Sequence, residues 1–153
     1  MTMSKPQIER GHEMPFVVQF STCLPNRVGQ LAELLGYLHE AGVEVAGLCQ
    51  VDSTEWAVVR LVFSDPDKAR EMLNRHQVAF TECDVLAIVI DQDEALQRIC
   101  KALLGAELNV HVAYPLLIRR QDLPVLVLHV DERITAVQVL TKHGFTLLDH
   151  EDL

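Results

Sequence analysis

The sequence predicts an α+β fold in which one βαββαβ unit occurs twice along the chain. The clearest evidence is an internal repeat, because the pattern Ala-x3-Leu-x2-His that begins at Ala69 returns at Ala136, 67 residues later. The earlier part of the repeat has a spacing of 65 residues, so that Leu31 to Val45 corresponds to Leu96 to Val110. Repeats of this length are whole small domains rather than solenoid turns. The second observation is that strand-like and helix-like patterns follow the same order in both copies.

The first copy begins with four segments whose patterns are those of strand, helix, strand and strand. They are Phe16 to Ser21, Gly29 to Gly42, Val43 to Val51 and Trp56 to Phe63. Asp65-Pro66 then supplies an N-cap and a proline at the first helical position, which predicts a second helix that reaches His76. A fourth strand begins near Val78. Right-handed crossovers in this order place both helices on one face of an antiparallel sheet.

The second copy repeats this order without a spacer. Its segments are Val85 to Ile90, Asp93 to Gly105, Leu108 to Leu117, Pro124 to Val130, Arg133 to His143 and Phe145 to Leu148. The last strand of copy one, around Phe80 to Cys83, therefore runs almost directly into the strand that opens copy two. We expect a polar tail at residues 1–14, a first module at 15–84 and a second module at 85–153, with the two modules tightly coupled.

Composition argues against several classes of protein. The chain of 153 residues has a net charge of −9 and only 13 Lys and Arg, so we expect no nucleic-acid binding, which needs clustered cations. No apolar stretch approaches the roughly 20 residues of a membrane span, and no signal-peptide pattern is present, so we expect a cytoplasmic protein without membrane contact. The four cysteines stand far apart without a CxxC pair, which favours reduced thiols.

Two short motifs give the repeated unit a resemblance to a known family. Pro25 to Leu31 reads Pro-Asn-Arg-Val-Gly-x-Leu between the first strand and the first helix, and Ala41 to Val45 reads Ala-Gly-Val-x-Val where the second strand opens. Together with the repeat and the element order, these motifs make the chain from Phe16 to Leu153 resemble a tandem ACT domain protein. The resemblance implies two ferredoxin-like modules that sense small molecules, typically amino acids, without being catalysts.

The loop before the first helix is the candidate binding site. A helix N-terminus presents unpaired N–H groups and a positive dipole, which suit a carboxylate, and Gly29 lets a ligand approach the backbone closely. Asn26 and Gln30 offer side-chain donors, and Arg27 is able to pair with a carboxylate in bidentate fashion. The alternative interpretation is structural: Gly29 eases helix packing and Arg27 is a solvated loop cation.

The corresponding loop of the second copy departs from this pattern. It reads Asp91-Gln92-Asp93-Glu94-Ala95-Leu96, so that Glu94 stands where copy one has glycine. We expect its three carboxylates to cap the helix well and to repel a ligand carboxylate. One loop per chain is then competent, and the second binds a cation, an amine or nothing.

We expect the two modules to meet edge to edge. The second strand of each unit lies at a sheet edge, which proteins usually cover by pairing. ACT modules commonly join there into a continuous eight-stranded sheet with the ligand at the junction. On that model Val43 to Val51 pairs with Leu108 to Leu116, within the chain or between the chains of a dimer. The implied ligand-binding residues are Asn26, Arg27, Val28, Gly29, Gln30, Leu48, Cys49, His111, Ala113 and Tyr114.

Metal sites and catalytic sites are not expected. His76 and His143 lie at equivalent helix ends, where capping explains them, and neither has a further ligand at metal-binding spacing. The same topology hosts small acyl-phosphate hydrolases, which use an arginine in the loop after the first strand, and Arg27 is available there. The glycine-rich phosphate cradle of such enzymes is missing, and the duplication and acidic balance have no role in one, so we expect no enzymatic activity. We also expect no cofactor and no metal.

The function implied by the resemblance is non-catalytic regulation by a bound amino acid. Occupancy would act allosterically, by altering a homo-oligomer or contact with an enzyme partner in trans, since the sequence carries no attached catalytic domain. The alternative is a regulatory small subunit of an amino-acid biosynthetic enzyme such as acetolactate synthase.

Overall fold

A computed structural model describes residues 14–153, which form seven β-strands and four α-helices. The strands are β1 (Val17–Pro25), β2 (Val45–Asp52), β3 (Trp56–Phe63), β4 (Thr81–Val89), β5 (Val110–Pro115), β6 (Val125–Val130) and β7 (Leu147–Leu148). The helices are α1 (Gln30–Glu40), α2 (Pro66–Arg75), α3 (Ala95–Gly105) and α4 (Arg133–Lys142), and a 3₁₀ helix (His150–Asp152) follows β7. The tail expected at residues 1–14 lies outside the described residues, apart from Met14.

Strand β4 belongs to both copies of the repeat. Its first half, residues 81–85, pairs with β1, and its second half, residues 86–89, pairs with β6. The last strand of copy one and the first strand of copy two are therefore a single strand with no loop between them. Backbone hydrogen bonds on both sides of β4 hold the two copies together, which is why the sequence has no spacer.

Both copies arrange their strands in the same order. In copy one the order is β2-β3-β1-β4, and in copy two it is β5-β6-β4-β7, with every neighbouring pair antiparallel. Sharing β4 merges them into one seven-stranded sheet. The predicted α+β class, with antiparallel strands and two helices per copy, is confirmed.

The helices pack on one face of the sheet. Helices α1 and α2 cover β1 and β3 through an apolar cluster that includes the buried side chains of Phe20, Leu38 and Met72. Helices α3 and α4 cover β4 and β6 through a second cluster that includes Ile99 and Leu140. The apolar helix faces predicted from leucine spacing therefore supply both of these cores.

The opposite face of the sheet, here called the inner face, curls around a third apolar cluster. Val62 of β3, Val85 and Ala87 of β4, and Val127 of β6 are completely buried in it. Side chains alternate between the two faces of a strand, so the neighbours of the helix-facing residues build this cluster. The sheet thus has helices outside and an apolar core inside its curl.

The two edge strands of the curled sheet meet at one point. Gly47 of β2 forms an antiparallel bridge with Leu116, which follows β5 directly. Beside it, the backbone N–H of Leu117 donates to the carbonyl of Ala46 over 2.7 Å. This contact closes the curl at one end.

Within the chain, the expected edge-to-edge union into an eight-stranded sheet is wrong. The described residues form seven strands, and the copies join through β4 rather than through β2 and β5. Pairing of Val43 to Val51 with Leu108 to Leu116 is reduced to the bridge at Gly47. The reason is the shared strand, because it places β2 and β5 at opposite ends of one sheet that meet only by curling.

A polar pair crosses the inner core. Gln19 of β1 is buried, and its Oε1 accepts a hydrogen bond of 2.7 Å from the hydroxyl of Tyr114 on β5. The amide nitrogen of Gln19 lies 3.6 Å from the sulfur of Cys83. Burial raises the pKa of Tyr114, so its hydroxyl remains a donor. The pair links the half of the sheet from copy one to the half from copy two.

A tight turn at residues 120–123 joins the two segments that were predicted as strands, Leu108 to Leu117 and Pro124 to Val130. Gln121 and Asp122 have φ values of 50° and 65°, and the flanking Arg120 and Leu123 exchange backbone hydrogen bonds of 2.9 and 2.8 Å. Positive φ at both central residues is typical of the two-residue turns that suit the twist of a hairpin.

Gly47 is required for the contact between the two sheet edges. A Cβ atom there would lie 2.5 Å from Cδ2 of Leu116 and 3.4 Å from Cβ of Val62. We expect Gly47→Ala to lower the free energy of unfolding by about 1 to 3 kcal/mol, as overpacking does, measured by urea denaturation. Gly36→Ala is the control, since a Cβ there meets nothing within 4 Å, and a helix interior gains roughly 0.5 to 1 kcal/mol from this exchange.

Adding Leu116→Ala to Gly47→Ala should recover part of the loss, because it removes the atom that the new Cβ would strike. Strictly additive losses in the double variant would contradict the proposed contact.

We expect the Tyr114 hydroxyl to contribute to the free energy of unfolding through its buried hydrogen bond to Gln19. Removing it by Tyr114→Phe leaves a buried oxygen of Gln19 without its donor, which costs about 1 to 3 kcal/mol. The control is Tyr37→Phe, because the Tyr37 hydroxyl is exposed and bonds only to Glu33 among the described residues. Equal unfolding free energies for the two variants would show that the Gln19–Tyr114 pair contributes nothing.

Candidate functional site

A cavity of 140 Å³ lies where the loop between β1 and α1 meets the hairpin of β2 and β3. Most of the wall is the loop itself and the first turn of α1, and the hairpin contributes two residues. The lining residues are Leu24, Pro25, Asn26, Arg27, Gly29, Gln30, Leu31, Ala32, Gln50 and Ala57. Four of the predicted ligand-binding residues therefore share one cavity.

Asn26 anchors the loop to the hairpin. Its backbone N–H donates to the carbonyl of Glu55 over 2.9 Å, and its side-chain amide donates to the carbonyl of Ser53 over 3.2 Å. Both acceptors lie in the turn between β2 and β3. Asn26 thus positions the loop, and its amide nitrogen is already engaged.

Gly29 sets the entry into α1. Its φ of 88° and ψ of −6° lie in the left-handed region, where residues with a Cβ pay a steric cost. No side chain caps the N-terminus of α1. The N–H of Gln30 donates to the carbonyl of Arg27 over 3.4 Å, whereas those of Leu31 and Ala32 have no acceptor among the described residues. Leu31 and Ala32 line the cavity, so their N–H groups and the positive end of the helix dipole are available to a ligand.

Arg27 supplies positive charge at the rim. It is exposed, and no carboxylate among residues 14–153 forms an ion pair with it. Its guanidinium is free to turn toward a ligand, and its planar fork matches a carboxylate in bidentate geometry. An uncapped helix end, a backbone without a Cβ and an arginine that forms no ion pair with any described carboxylate together favour a small carboxylate ligand.

A family model for the ACT domain pair matches residues 15–153. The chain belongs to the ACT domain pair family. Among curated proteins, none matches it in sequence.

Solved structures share the fold of this ACT pair. Protein BT0572 from Bacteroides thetaiotaomicron has a TM-score of 0.80 at 23% identity, covering 90% of this chain and 94% of that chain. The regulatory subunit of aspartate kinase from Thermus thermophilus has a TM-score of 0.59 at 13% identity, covering 84% and 93%. A putative C-terminal regulatory domain of aspartate kinase from Porphyromonas gingivalis has a TM-score of 0.55 at 14% identity, covering 84% and 91%. At these identities the likeness concerns the fold.

Six of the ten predicted site residues do not line the cavity of this ACT pair. Val28 belongs to the loop but is fully exposed. Leu48 packs against the helix-side core of copy one, and Cys49 packs against the inner core. The other three lie on β5, where Tyr114 is buried against Gln19, Ala113 is exposed and His111 bonds to Asp131. Because β5 meets β2 only at Gly47, the single chain does not bring these three to the loop.

Gln50 and Ala57 line the cavity but were not predicted from the sequence. Register explains their position, since Ala57 pairs with Leu24 across β3 and β1, and Gln50 pairs with Val59 across β2 and β3. Counting alternate residues back from the Asp52-Ser53 turn points to Gln50 on the face that carries the helices. The sequence contains this alternation, but using it to place Gln50 requires the register of the hairpin.

The second loop of the ACT pair has the same backbone but different chemistry. Glu94, the N-cap of α3, has a φ of 59° and a ψ of 16°, so it adopts the left-handed conformation of Gly29 despite its side chain. The expectation that the carboxylates there cap the helix well is wrong for Glu94, which makes no side-chain cap hydrogen bond. The left-handed backbone points its side chain away from the N–H groups that a cap must reach.

The histidines at the ends of α2 and α4 have local partners. The ring of His76 stacks on Tyr37 with centroids 4.0 Å apart, and Nδ1 of His143 lies 2.8 Å from the carbonyl of Val139. Across residues 14–153, no group of three or more His, Cys, Asp or Glu is placed to hold a metal ion. In the same range, no helix is long and apolar enough to span a membrane.

Gly29 and Glu94 share a left-handed backbone conformation. We therefore expect that adding a Cβ at residue 29 and removing the side chain at residue 94 change the free energy of unfolding in opposite directions. Gly29→Ala should lower the free energy of unfolding by about 1 to 2 kcal/mol, the cost of a Cβ in this conformation. Glu94→Gly removes that cost but adds freedom to the unfolded chain, so we expect a gain between zero and about 1 kcal/mol. Thermal and urea unfolding measure both. A clear loss of stability in Glu94→Gly would contradict the strained conformation.

Proposed function

We propose that this ACT pair is a non-catalytic regulatory protein that binds an amino acid in the β1–α1 loop of its first copy. The observation that carries the proposal is the combination at one cavity of an uncapped helix N-terminus, a left-handed glycine and an arginine without an ion pair among residues 14–153. The ligand's carboxylate accepts from the first-turn N–H groups of α1 and pairs with Arg27.

The cavity favours a small ligand. Its volume of 140 Å³ is below the roughly 300 to 1,000 Å³ of pockets for drug-sized molecules. Its apolar wall is formed by Leu24, Leu31 and Ala57, while Gln30 and Gln50 offer amides that can accept from the ligand's ammonium group or bond to a polar side chain. A short side chain fits this space better than an aromatic one.

Regulation follows if a second surface completes the site. Val28 is fully exposed beside the cavity, and Trp56, which begins β3 and pairs with Pro25, is half exposed. Apolar side chains at the rim of a binding site are suited to being covered by a second module or by an enzyme partner. A ligand that contacts both surfaces binds the assembled state more tightly than the separated state. It stabilises assembly by this difference in binding free energy. His111 and Ala113, which are exposed on edge strand β5, remain candidates to reach the site from a second chain of a homo-oligomer.

A second candidate function is that of a regulatory subunit for an amino-acid biosynthetic enzyme. The fold shared with the Thermus thermophilus regulatory subunit of aspartate kinase, over 93% of that chain, supports this role. It also makes an enzyme of that type a more specific choice of partner than acetolactate synthase. A sensor acting by self-assembly changes its own oligomeric state with ligand, whereas a subunit changes the activity of an added enzyme.

The decisive experiment is a thermal-shift screen of the full chain against the twenty amino acids. We expect one ligand, or a small group of related ones, to stabilise the protein by about 2.7 kcal/mol at a hundred times the dissociation constant. Gly29→Glu, which copies the second loop, should abolish the shift, and Arg27→Gln should weaken binding about tenfold through loss of one charge-assisted contact. Arg75→Gln is the matched control, because Arg75 pairs only with Glu71 on the surface of α2 among described residues.

Two outcomes would overturn the proposal. One is a screen in which no amino acid shifts the melting temperature. The other is a shift that survives Gly29→Glu, which would place the ligand elsewhere in the molecule.

A further inference from the structure

Copy two has a cavity between its helices at the place where copy one has a tyrosine ring. In copy one the ring of Tyr37 stacks on that of His76, with centroids 4.0 Å apart and 9° between the ring planes. The repeat aligns Tyr37 with Ala102 and His76 with His143. Both Ala102 and His143 line a cavity of 310 Å³ between α3 and α4. Alanine in place of tyrosine therefore leaves room beside the histidine.

The cavity presents a histidine ring without an aromatic partner. Nδ1 of His143 lies 2.8 Å from the carbonyl oxygen of Val139, a contact that holds the ring at the cavity wall. Among residues 14–153, no aromatic ring stacks on it. The volume of 310 Å³ reaches the lower end of the roughly 300 to 1,000 Å³ of pockets for drug-sized molecules. The cavity thus has room for a planar ring, and copy one supplies an example of such a ring stacked on the equivalent histidine.

The same cavity is bordered by positive charge. We call the cavity lined by Lys101, Ala102, Val139, Lys142 and His143 the helix groove. Neither lysine forms an ion pair with a carboxylate in the described part of the chain. The carboxylate that follows α3, at residue 107, is not in the lining, and the guanidinium of residue 98 lies 3.3 Å from the carbonyl of His143. The helix groove therefore combines apolar walls with a basic rim in a protein whose total charge is −9.

The tip of the β2–β3 hairpin, residues 51–56, has the complementary features. All six residues are exposed. Trp56, the single tryptophan of the chain, is 50% exposed, and it is the one aromatic residue among the exposed large hydrophobic residues of the described range. Asp52 and Glu55 add two negative charges beside it, and neither forms an ion pair with Arg27 or with any other cation in residues 14–153. An exposed aromatic ring with acidic neighbours matches a basic groove that holds an unstacked ring.

We propose that two copies of this chain associate by seating the hairpin tip of one copy in the helix groove of the other. Trp56 enters the groove and stacks on His143 of the second copy, where copy one has its own tyrosine. The two carboxylates of the tip then face the two lysines of the groove, which orients the contact. Since the tip and the groove are different surfaces, the contact is heterologous.

The tip borders the amino-acid cavity, which connects the association to regulation. Gln50 and Ala57 of the same hairpin line that cavity, and Asn26 donates to the carbonyls of Ser53 and Glu55 in the tip. Docking therefore brings α3 and α4 of a second copy to the rim of the cavity. This consequence rests on the proposed function, whereas the association itself does not and takes place without a ligand.

Sedimentation of the full chain over a range of concentrations, without amino acids, tests the association. We expect the mean mass to rise above that of one chain, and the fluorescence of the single tryptophan to move to shorter wavelength as the ring leaves water. Trp56→Ala should raise the dissociation constant about tenfold or more, as loss of an aromatic anchor does. Ala102→Tyr should do the same from the other side, because it fills the groove with the ring that copy one carries.

Reversing one charge gives a milder, matched test. Lys142→Glu should raise the dissociation constant about twofold to fivefold, the range of exposed ion pairs. Arg75→Glu is the control, since the repeat aligns Arg75 with Lys142 and Arg75 pairs with Glu71 on α2 of copy one. It should associate as the unmodified chain does. Because no amino acid is present, failure of the proposed amino-acid site leaves these results unchanged.

Mixing the two disabled variants tests the pairing of tip with groove. Trp56→Ala keeps its groove and Ala102→Tyr keeps its tip, so an excess of the first should bind the second. The tryptophan signal of the mixture comes from Ala102→Tyr alone, and we expect it to move to shorter wavelength. A contact between two Trp56 side chains would not be restored in this way.

Three results would overturn the docking of tip into groove. The first is an unmodified chain that stays monomeric, with an unchanged tryptophan spectrum, at every concentration. The second is an association that survives Ala102→Tyr with the variant still folded, since this would place Trp56 against another surface. The third is a mixture of the two variants in which the tryptophan signal does not move.

Discussion

The architecture depends on one constraint, the sharing of β4 by the two copies of the repeat. Hydrogen bonds from β4 to β1 on one side and to β6 on the other fix the copies side by side in a single sheet. Two separate units would each leave an apolar inner face exposed, and the common sheet resolves this by curling until its ends touch at Gly47 and Leu116. The same strand therefore produces the inner core and the closed end of the sheet.

Duplication has preserved backbone geometry more faithfully than chemistry. Gly29 and Glu94 hold the same left-handed conformation at the start of equivalent helices, yet only the first leaves the main chain accessible. The N-caps of the second helices also differ, because Asp65 accepts from the Lys68 N–H in copy one whereas its counterpart Glu132 caps nothing. One copy can thus keep a ligand site while the other retains only the scaffold that the shared sheet requires.

Local structure was predictable from the sequence because local patterns determine it. The leucine spacing of α1, the Asp65-Pro66 start of α2 and the turn near Arg120 are all decided within a few residues. The curl was not predictable, since it depends on contacts between residues as distant as Gly47 and Leu116, although a glycine inside a strand pattern was the available signal. For the same reason the sequence predicted the cavity residues in the loop between β1 and α1. Placing Gln50 and Ala57 in the cavity, by contrast, requires the register of the strands.

The central claim is that an amino-acid carboxylate binds the first-turn N–H groups of α1, and backbone amide NMR during a ligand titration tests it most directly. The account predicts that the largest shifts of the amide signals fall on residues 28–32, with residues 93–97 of the second loop unaffected. Equal shifts at both loops would show that the chemical difference between Gly29 and Glu94 has no role in binding. Shifts confined to other parts of the molecule, or none with any amino acid, would contradict the proposed site.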